Sequence, residues 1–474
     1  MQSTTKLFFL LLLINVSIFW VIEYPPLQDY PLYLERIFVL HNLNNPSFNF
    51  AQYYEINYSI TTNIANEFMG LILIQLLPIE IVGKMLITIT LGVFCFGLFK
   101  FFDFFYKNNI ISLASIFFVH NILFFYGFLN FTLATGIFFL AITELFKNGF
   151  GNKIKLMALL LAIYLSHLFV FLVFVPIFLI FLIEKKAHIS NLLIFVPSAL
   201  LLAYYSFFGL LTDSKNLFGF IQNPIIVKIL EVGSMFIVFS KFNILPAISM
   251  IIIFAYFIFI KIKNKTDLIP NQKITAKILA LIVLIFLLLP RQTYNWGLVD
   301  LRITIFIPVF LFVLGNYEKA NKKILVFLVS LLIVSTLASN FFFMNQASGT
   351  INTLLEARTQ IKENSKVLVL FSECPHCFTT TPLIHYSKFF TIFNGSIVPQ
   401  TFTESKFLLV NRKSNISLPS PSEFNQFSFS VEKHGKYYDY ILLYKSNERI
   451  VEDITNNGFK LKFENENIQL FEKE

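Results

Sequence analysis

Long apolar runs dominate the sequence, and they restrict the fold more than any other feature. Hydrophobic residues make up 56% of the 474 positions, 61 residues are phenylalanine, and the mean hydropathy is +0.69. A soluble protein of this length could not cover so much apolar surface, whereas a helix needs about 17–25 apolar residues to cross a bilayer. The composition therefore predicts a polytopic membrane protein.

About eleven membrane-spanning helices are predicted from the lengths of these runs. The run over 155–183 carries Ser166 and His167 at its middle, where a polar pair is costly in lipid, so we expect two short helices that meet at a turn there. The first run lacks a small-residue cleavage site, which predicts a retained helix rather than a removed signal peptide. The predicted spans lie at about 7–22, 80–101, 109–126, 129–147, 155–183 (crossing twice), 190–211, 243–262, 274–290, 301–316 and 322–344.

The basic residues predict the orientation of these helices. With the N-terminus in the cytoplasm, most lysines and arginines between the spans fall on the cytoplasmic side, as the positive-inside rule requires. The formal net charge of +9 lies entirely before residue 345, because the remainder of the chain is balanced in charge. Membrane topology therefore accounts for the basic excess, and nucleic acid is not an expected partner.

Two domains are expected: a transmembrane domain over 1–344 and a polar C-terminal domain over 345–474. The outer loop at 23–79 contains two helix-like stretches, Leu32–Leu43 and Ile64–Leu77, which we expect to lie along the membrane surface. In the C-terminal part, β-like runs alternate with helical patterns, which predicts a small extracytoplasmic α/β domain. The fold class is thus mainly α, a polytopic helical bundle with that domain appended. The β-like runs are Lys366–Phe371, Phe407–Val410, Tyr440–Tyr444 and Ile468–Phe471, and the helical patterns are Thr353–Lys362 and Ile450–Asn457.

An acidic residue in a proline-restricted turn follows the first span, in the sequence Tyr24-Pro25-Pro26-Leu27-Gln28-Asp29-Tyr30-Pro31. The prolines limit the conformations of this turn and so fix the position of Asp29. An ionisable group near the membrane is a functional candidate, so Asp29 is the expected catalytic carboxylate. The alternative is that Asp29 only caps the helix that begins near Pro31.

Further polar residues fall on the same predicted outer side. Four of them have a plainer explanation: exposure on an interfacial helix for Glu67, mutual neutralisation for Asp300 and Arg302, and a satisfied polar contact between helices for His167. Their combination on one side of the membrane is the stronger argument for a site. These residues are Arg36, Asn63, Glu67, Asn130, His167, Arg291, Asp300 and Arg302.

Glycosyl transfer from a lipid-linked sugar phosphate is a reaction that such a set could perform. A carboxylate must take the proton from the acceptor hydroxyl, and cations must stabilise the departing phosphate. Asp29 and Glu67 are the catalytic candidates. Guanidinium groups fit phosphate oxygens, which favours Arg36, Arg291 and Arg302 for the second requirement. Asn63, Asn130, His167 and Asp300 complete the predicted substrate-binding residues.

The order of these elements resembles the GT-C superfamily of polytopic membrane glycosyltransferases, in its bacterial branches, over about residues 20–345. The resemblance implies a dolichyl- or polyprenyl-phosphate sugar donor, a glycan, lipid or protein acceptor, an outward-facing site with Asp29 as base or metal ligand, and a place in the bacterial cytoplasmic membrane. Relatives often carry His where this chain has Tyr33, and a phenol is a poor metal ligand, so the cofactor is open and a divalent metal is one candidate. The matching motifs are Pro25-Pro26-Leu27-Gln28-Asp29-Tyr30-Pro31, Leu34-Glu35-Arg36, Asn63-Ile64-Ala65-Asn66-Glu67, Gly127-Phe128-Leu129-Asn130, Ser166-His167 and Asp300-Leu301-Arg302.

The sequence Cys374-Pro375-His376-Cys377 has the spacing of thiol–disulfide oxidoreductases and follows a strand-like run. Cys374 and Cys377 could equally form a local disulfide in an oxidising compartment, or remain thiols. A membrane-tethered thiol oxidoreductase is therefore one alternative function. A transporter or flippase of lipid-linked glycans is another, since it would use the same cations and need no base.

Overall fold

The structure, a computed structural model, separates into two compact units, and each is assembled from stretches that are distant in sequence. The first unit comprises Met1–Val21, Thr61–Asn66 and Met85–Phe342. The second comprises Ile22–Ile60, Glu67–Lys84 and Phe343–Glu474. The structure describes residues 2–106, 110–210, 220–237, 243–264, 267–293, 297–315, 320–372, 381, 383–399, 408–413, 416, 418–421 and 428–474.

Apolar helices make up most of the chain, as the composition predicts. Among the described residues, seven helices are long and apolar enough to cross a membrane: Ser3–Val21, Ile79–Tyr106, Leu129–Asn148, Ile189–Phe208, Ile244–Asn264, Pro270–Leu288 and Lys322–Gln360. Three shorter apolar segments are Ile110–Phe125, Leu168–Glu184 and Leu301–Val313. The predicted spans therefore coincide with helical segments, while the number that reaches spanning length is smaller than the predicted eleven or so.

The predicted break in the apolar run over 155–183 is confirmed. The helices Lys153–Ser166 and Leu168–Glu184 meet at His167, whose backbone is extended with φ −161° and ψ 113°. The last carbonyls of a helix have no partner within it. Here the Thr62 hydroxyl donates to the Tyr164 carbonyl at 2.7 Å, and the Ile64 N–H donates to the Leu165 carbonyl at 3.0 Å. The segment Thr61–Asn66 is thereby fixed to the end of this helix.

Two helices of the first unit meet at a pair of glycines. A methyl group added to Gly97, on the helix Ile79–Tyr106, would lie 2.1 Å from the carbonyl oxygen of Gly136, on the helix Leu129–Asn148. Small residues at a crossing allow helix backbones to approach closely in membranes. Neither position therefore has room for a side chain.

Short strands occur in both units. In the first unit, β2 (Phe220–Ile221) pairs with β3 (Gln292–Thr293). The strands of the second unit are β1 (Tyr54–Ile56), β4 (Val367–Phe371), β5 (Val410–Arg412), β6 (Tyr440–Tyr444), β7 (Phe459–Glu464) and β8 (Ile468–Lys473).

The second unit is built on a four-stranded mixed sheet with the order β4-β6-β8-β7. The neighbours β4 and β6 are parallel, whereas β8 is antiparallel to both β6 and β7. Both β4 and β6 are buried along their whole length, as strands covered on both faces are, and their apolar sequences follow from that.

The loop after the first span, apart from Thr61–Asn66, belongs to the same unit as the C-terminal sheet. Its strand β1 pairs antiparallel with β5, and Val39, Phe50 and Tyr54 share one apolar core with Leu368 and Ile441. The predicted surface helix at Leu32–Leu43 forms as Tyr30–His41. Its residues Leu32, Leu34 and Ile37 are buried, and Val39 enters this core. The remaining helices include Phe50–Tyr53, Ala65–Leu73, Ile225–Ser234, Phe306–Val313, Phe389–Asn394 and Glu448–Asn456.

Candidate active site

The predicted site residues divide between the two units, and each group is described by itself. Asp29, Arg36 and Glu67 lie in the second unit. The first unit holds Asn63, Asn130, His167, Arg291, Asp300 and Arg302. Cys374 and Cys377 lie outside the described residues.

Asp29 closes a tight turn that the prolines begin. The Leu27 N–H donates to the Pro25 carbonyl at 2.8 Å, and the Tyr30 N–H donates to the Leu27 carbonyl at 3.1 Å. Asp29 occupies the N-cap position of the helix Tyr30–His41, yet its side chain accepts no capping hydrogen bond from this fully described helix. Helix capping, the alternative explanation for this residue, is therefore not what the carboxylate does.

A histidine from the C-terminal part of the chain lies beside this carboxylate. Nε2 of His385 is 3.7 Å from Oδ1 of Asp29, with 8% of the histidine side chain and 18% of the aspartate side chain exposed. Burial, together with the positive charges of Lys388 and Arg36, lowers the pKa of His385 to about 3. The imidazole is therefore neutral at neutral pH.

The segment that carries His385 also holds the turn at two other points. The amide oxygen of Gln28 accepts hydrogen bonds from the Thr381 hydroxyl at 2.8 Å and the Thr381 N–H at 3.2 Å. The phenol of Tyr386 donates to the Pro25 carbonyl. The main chain and side chains around Asp29 are thus fixed from both sides by residues near position 385.

Arg36 and Glu67 form a buried ion pair. Oε1 of Glu67 accepts from Nη2 of Arg36 at 2.6 Å and from Nε at 3.0 Å, and the Tyr33 ring lies 4.7 Å from the guanidinium carbon. Burial opposes the charge on Arg36, but Glu67 and Tyr33 outweigh it, so the pKa of Arg36 is raised. Arg36 and Glu67 therefore neutralise each other.

Three further buried charges near this pair were missed from the sequence. Glu35 accepts a hydrogen bond from the Thr391 hydroxyl at 3.4 Å, and burial raises its pKa although Lys388 and Arg412 act in the opposite direction. Lys388 donates to the Pro399 carbonyl, and Arg412 donates to the Val398 carbonyl at 3.1 Å. The sequence did carry one signal for these residues. Glu35 and Arg36 lie next to each other within an otherwise apolar helix, and charges at such positions need buried partners.

In the first unit, Asn130 ties a loop to a helix. Its side-chain oxygen accepts from the N–H and the side-chain amide of Asn66 at 3.0 and 2.9 Å, and its own amide donates to the Asn63 carbonyl at 2.7 Å. Asn63 has a left-handed backbone, with φ 59°, a conformation that asparagine tolerates better than most residues. The predicted residues Asn63 and Asn130 are therefore brought together, and the contact that joins them fixes the loop.

Arg291 is shared between two carboxylates. Its Nη1 lies 2.8 Å from Oε1 of Glu231 and 3.3 Å from Oδ1 of Asp300, which also accepts from the Leu301 N–H at 2.8 Å. The sequence predicted Asp300 here and missed Glu231. Two acidic groups against one guanidinium leave this cluster without an excess of positive charge.

Arg302 and His167 lie close enough for the arginine charge to act on the imidazole. The guanidinium of Arg302 also stacks 5.0 Å from the centre of the Phe128 ring, and His167 contacts Phe131 edge-on at 5.3 Å between ring centres. A cation over an aromatic face is stabilised by the ring quadrupole. Of the predicted arginines, Arg302 is thus held by an aromatic ring, whereas Arg36 and Arg291 are held by carboxylates.

Asp29 and His385 offer an oxygen and a nitrogen as ligands for a metal ion, whereas Glu67 is bonded to Arg36. In the part of the chain that the structure describes, three or more His, Cys, Asp or Glu side chains are nowhere grouped to hold a metal ion.

Comparisons with known proteins bear on the fold. No protein-family model matches the sequence, and no curated protein matches it. A solved structure does match, "Single-Particle Cryo-EM Structure of Arabinofuranosyltransferase AftD from Mycobacteria", with a TM-score of 0.51 at 10% sequence identity. The match covers 98% of this chain and 40% of that one, so this chain spans less than half the length of its structural neighbour. At this identity the likeness concerns architecture alone: the chain shares its fold with part of that structure.

Proposed function

We propose that this protein is an inverting membrane glycosyltransferase of the bacterial cell envelope. It would transfer a sugar from a polyprenyl-phosphate donor to an extracytoplasmic acceptor, with Asp29 as general base. The observation that carries the proposal is the Asp29 carboxylate, which is fixed in a proline turn, partly exposed, and not used to cap its helix. The fold shared with part of the arabinofuranosyltransferase structure supports this assignment.

The chemistry requires few groups. The Asp29 carboxylate takes the proton of the acceptor hydroxyl while the hydroxyl oxygen bonds to the anomeric carbon of the donor sugar. The bond from that carbon to the phosphate oxygen breaks, and the polyprenyl phosphate leaves with the electron pair. The proton then remains on Asp29 until it passes to water.

The ion pair between Arg36 and Glu67 indicates different roles for the two predicted acids, Asp29 and Glu67. Glu67 is buried and bonded to Arg36 through one oxygen, so we propose that it holds Arg36 and does not exchange protons with substrate. Asp29 is then left as the base. The substrate contacts predicted for Arg36, Asn63, Asn130, His167, Arg291, Asp300 and Arg302 stay predictions.

The test is glycosyl transfer by the full-length protein in membrane vesicles supplied with a panel of radiolabelled polyprenyl-phosphate sugars and a cell-envelope extract. Asp29→Asn should reduce transfer by about 100-fold or more, as expected for loss of a general base. Glu23→Gln is the matched control, because it makes the same change of charge at an exposed position in the same loop.

Two outcomes would contradict the proposal in different ways. Wild-type activity in Asp29→Asn would remove this residue from the mechanism. Movement of the labelled lipid across the bilayer without covalent transfer would favour a flippase of lipid-linked glycans.

A further inference from the structure

We propose that His385 is a positioning residue for Asp29, so that the C-terminal part of the chain completes the active site. This inference rests on the proposed function. His385 would donate its Nε2–H to Oδ1 of Asp29 and hold the carboxylate with Oδ2 directed at the acceptor hydroxyl. Neither the acidic turn nor the resemblance in sequence indicates such a residue, because it lies beyond the part of the chain that the resemblance covers.

The distance between the His385 and Asp29 side chains supports this role. Nε2 and Oδ1 are 3.7 Å apart, somewhat longer than a hydrogen bond, and both belong to residues whose surroundings are fixed. Hydrogen bonds between catalytic groups are often long without substrate and shorten when the substrate binds. The contacts from Gln28 to Thr381 and from Tyr386 to Pro25 hold the two backbones so that the pair stays within reach.

The backbone of His385 also fits a functional position. His385 has φ 70°, in the left-handed region that few residues other than glycine adopt, although asparagine, aspartate and histidine are enriched there. Such conformations are strained and are concentrated at functional sites, where the surroundings enforce them. The conformation of His385 therefore adds to the geometric argument and does not carry the inference alone.

The charged groups around His385 also support this role. The charged groups that act on His385 are Asp29 from the turn, Arg36 from the following helix, and Lys388 from its own segment. The two cations and burial keep the imidazole neutral at neutral pH. A neutral N–H donor orients the carboxylate without adding a full positive charge beside it, and a full charge would weaken the base.

The experiment compares His385→Leu with His385→Gln in the vesicle assay. Leucine fills the space without a donor, and we expect kcat to fall about 10- to 100-fold, the range for a lost hydrogen bond to a charged group. The donor KM should be unchanged. The acidic limb of the kcat profile should move up in pH, since the carboxylate loses a bond to its charged form. Glutamine offers an N–H of similar reach and should restore most of kcat.

His434→Leu is the matched control, because it removes a partly buried histidine of the same unit whose imidazole accepts from the Ser430 N–H and stacks on Phe429. Unchanged kcat and an unchanged pH profile in His385→Leu, with Asp29→Asn inactive, would overturn the inference and leave the proposed function intact. Equal losses of activity and of unfolding temperature in the leucine and glutamine variants would also overturn it, in favour of a structural role. Absence of transfer by the wild type would instead contradict the proposed function.

Discussion

Arg36 and Glu67 form a buried ion pair although they are 31 positions apart in sequence. Nη2 and Nε of Arg36 both donate to Oε1 of Glu67, at 2.6 and 3.0 Å. Their side chains are 7% and 3% exposed. A pair this deeply buried contributes little compared with apolar residues of the same size, but loss of one partner leaves an uncompensated charge. Substitution of Arg36 or Glu67 alone should therefore destabilise the protein.

Arg36→Met and Glu67→Met should each lower the free energy of unfolding by about 3–5 kcal/mol, whereas the double variant should be less destabilised than the sum of the two. Denaturant unfolding of the purified protein in detergent measures all four members of this cycle. As a control, Glu474→Gln removes one partner of the exposed pair with Lys460 and should have no measurable effect. Additive losses at Arg36 and Glu67 would show that the pair is not coupled.

The neutral state of His385 predicts a dependence of stability on pH. Its pKa falls from an ordinary value of 6.5 to about 3 in the folded protein, so the unfolded chain binds a proton that the folded chain does not between these values. The contribution of neutral His385 to the free energy of unfolding is fully present above about pH 6.5, and it is lost as the pH falls toward 3. The unfolding temperature of His385→Gln should therefore decrease less between pH 7.5 and pH 4.5 than that of the wild type. Parallel decreases would show that this histidine is not the group responsible.

Close approach of two helices at Gly97 predicts intolerance of a single methyl group. Gly97→Ala places a carbon 2.1 Å from the Gly136 carbonyl oxygen, and the helices must separate to admit it. We expect a loss of about 1–3 kcal/mol in the free energy of unfolding, as for other overpacked contacts. Gly92→Ala, on the same helix with no atom within 4 Å of the added carbon, should be neutral or stabilising. Equal effects of the two substitutions on the unfolding temperature would contradict a tight crossing at Gly97.

A buried lysine stabilises the end of a helix. Nζ of Lys228 donates to the carbonyls of Phe286, Leu287 and Leu289 at 2.9, 3.2 and 2.5 Å, at the C-terminus of the helix Pro270–Leu288. Lys228→Met leaves these carbonyls without the ammonium and should lower the free energy of unfolding by about 1–3 kcal/mol. Lys277→Met, which removes a half-exposed lysine paired with Glu184, should cost less than about 1 kcal/mol. A greater loss for Lys277→Met would contradict this ranking.

Local sequence patterns predicted much of the fold. The polar pair at Ser166 and His167 correctly indicated a break between two helices, because a helix through lipid avoids polar residues at its centre. The strands β4, β6 and β8 were predicted closely, since each is a short apolar run. β7 was missed although its apolar and charged residues alternate strictly, a pattern typical of a strand with one exposed face.

The candidate site was less predictable, for a physical reason. Asp29 was identified because its prolines are adjacent in sequence. His385, Lys388 and Arg412 act on the same region through contacts that span more than 300 positions, and a lone histidine in a polar segment carries no local signal. Arg36 was read as a free cation for phosphate, and only the fold shows that Glu67 holds it.

The contact between Gln28 and Thr381 has a consequence for how the protein is made. The two residues are 353 positions apart, so the ribosome needs roughly 20–70 s to synthesise the chain between them. Throughout that interval the nascent turn around Asp29 lacks the residues that give it its final form. The proposed activity should therefore appear only after His385 has been synthesised, and a chain that stalls before this residue would insert helices into the membrane without completing the turn.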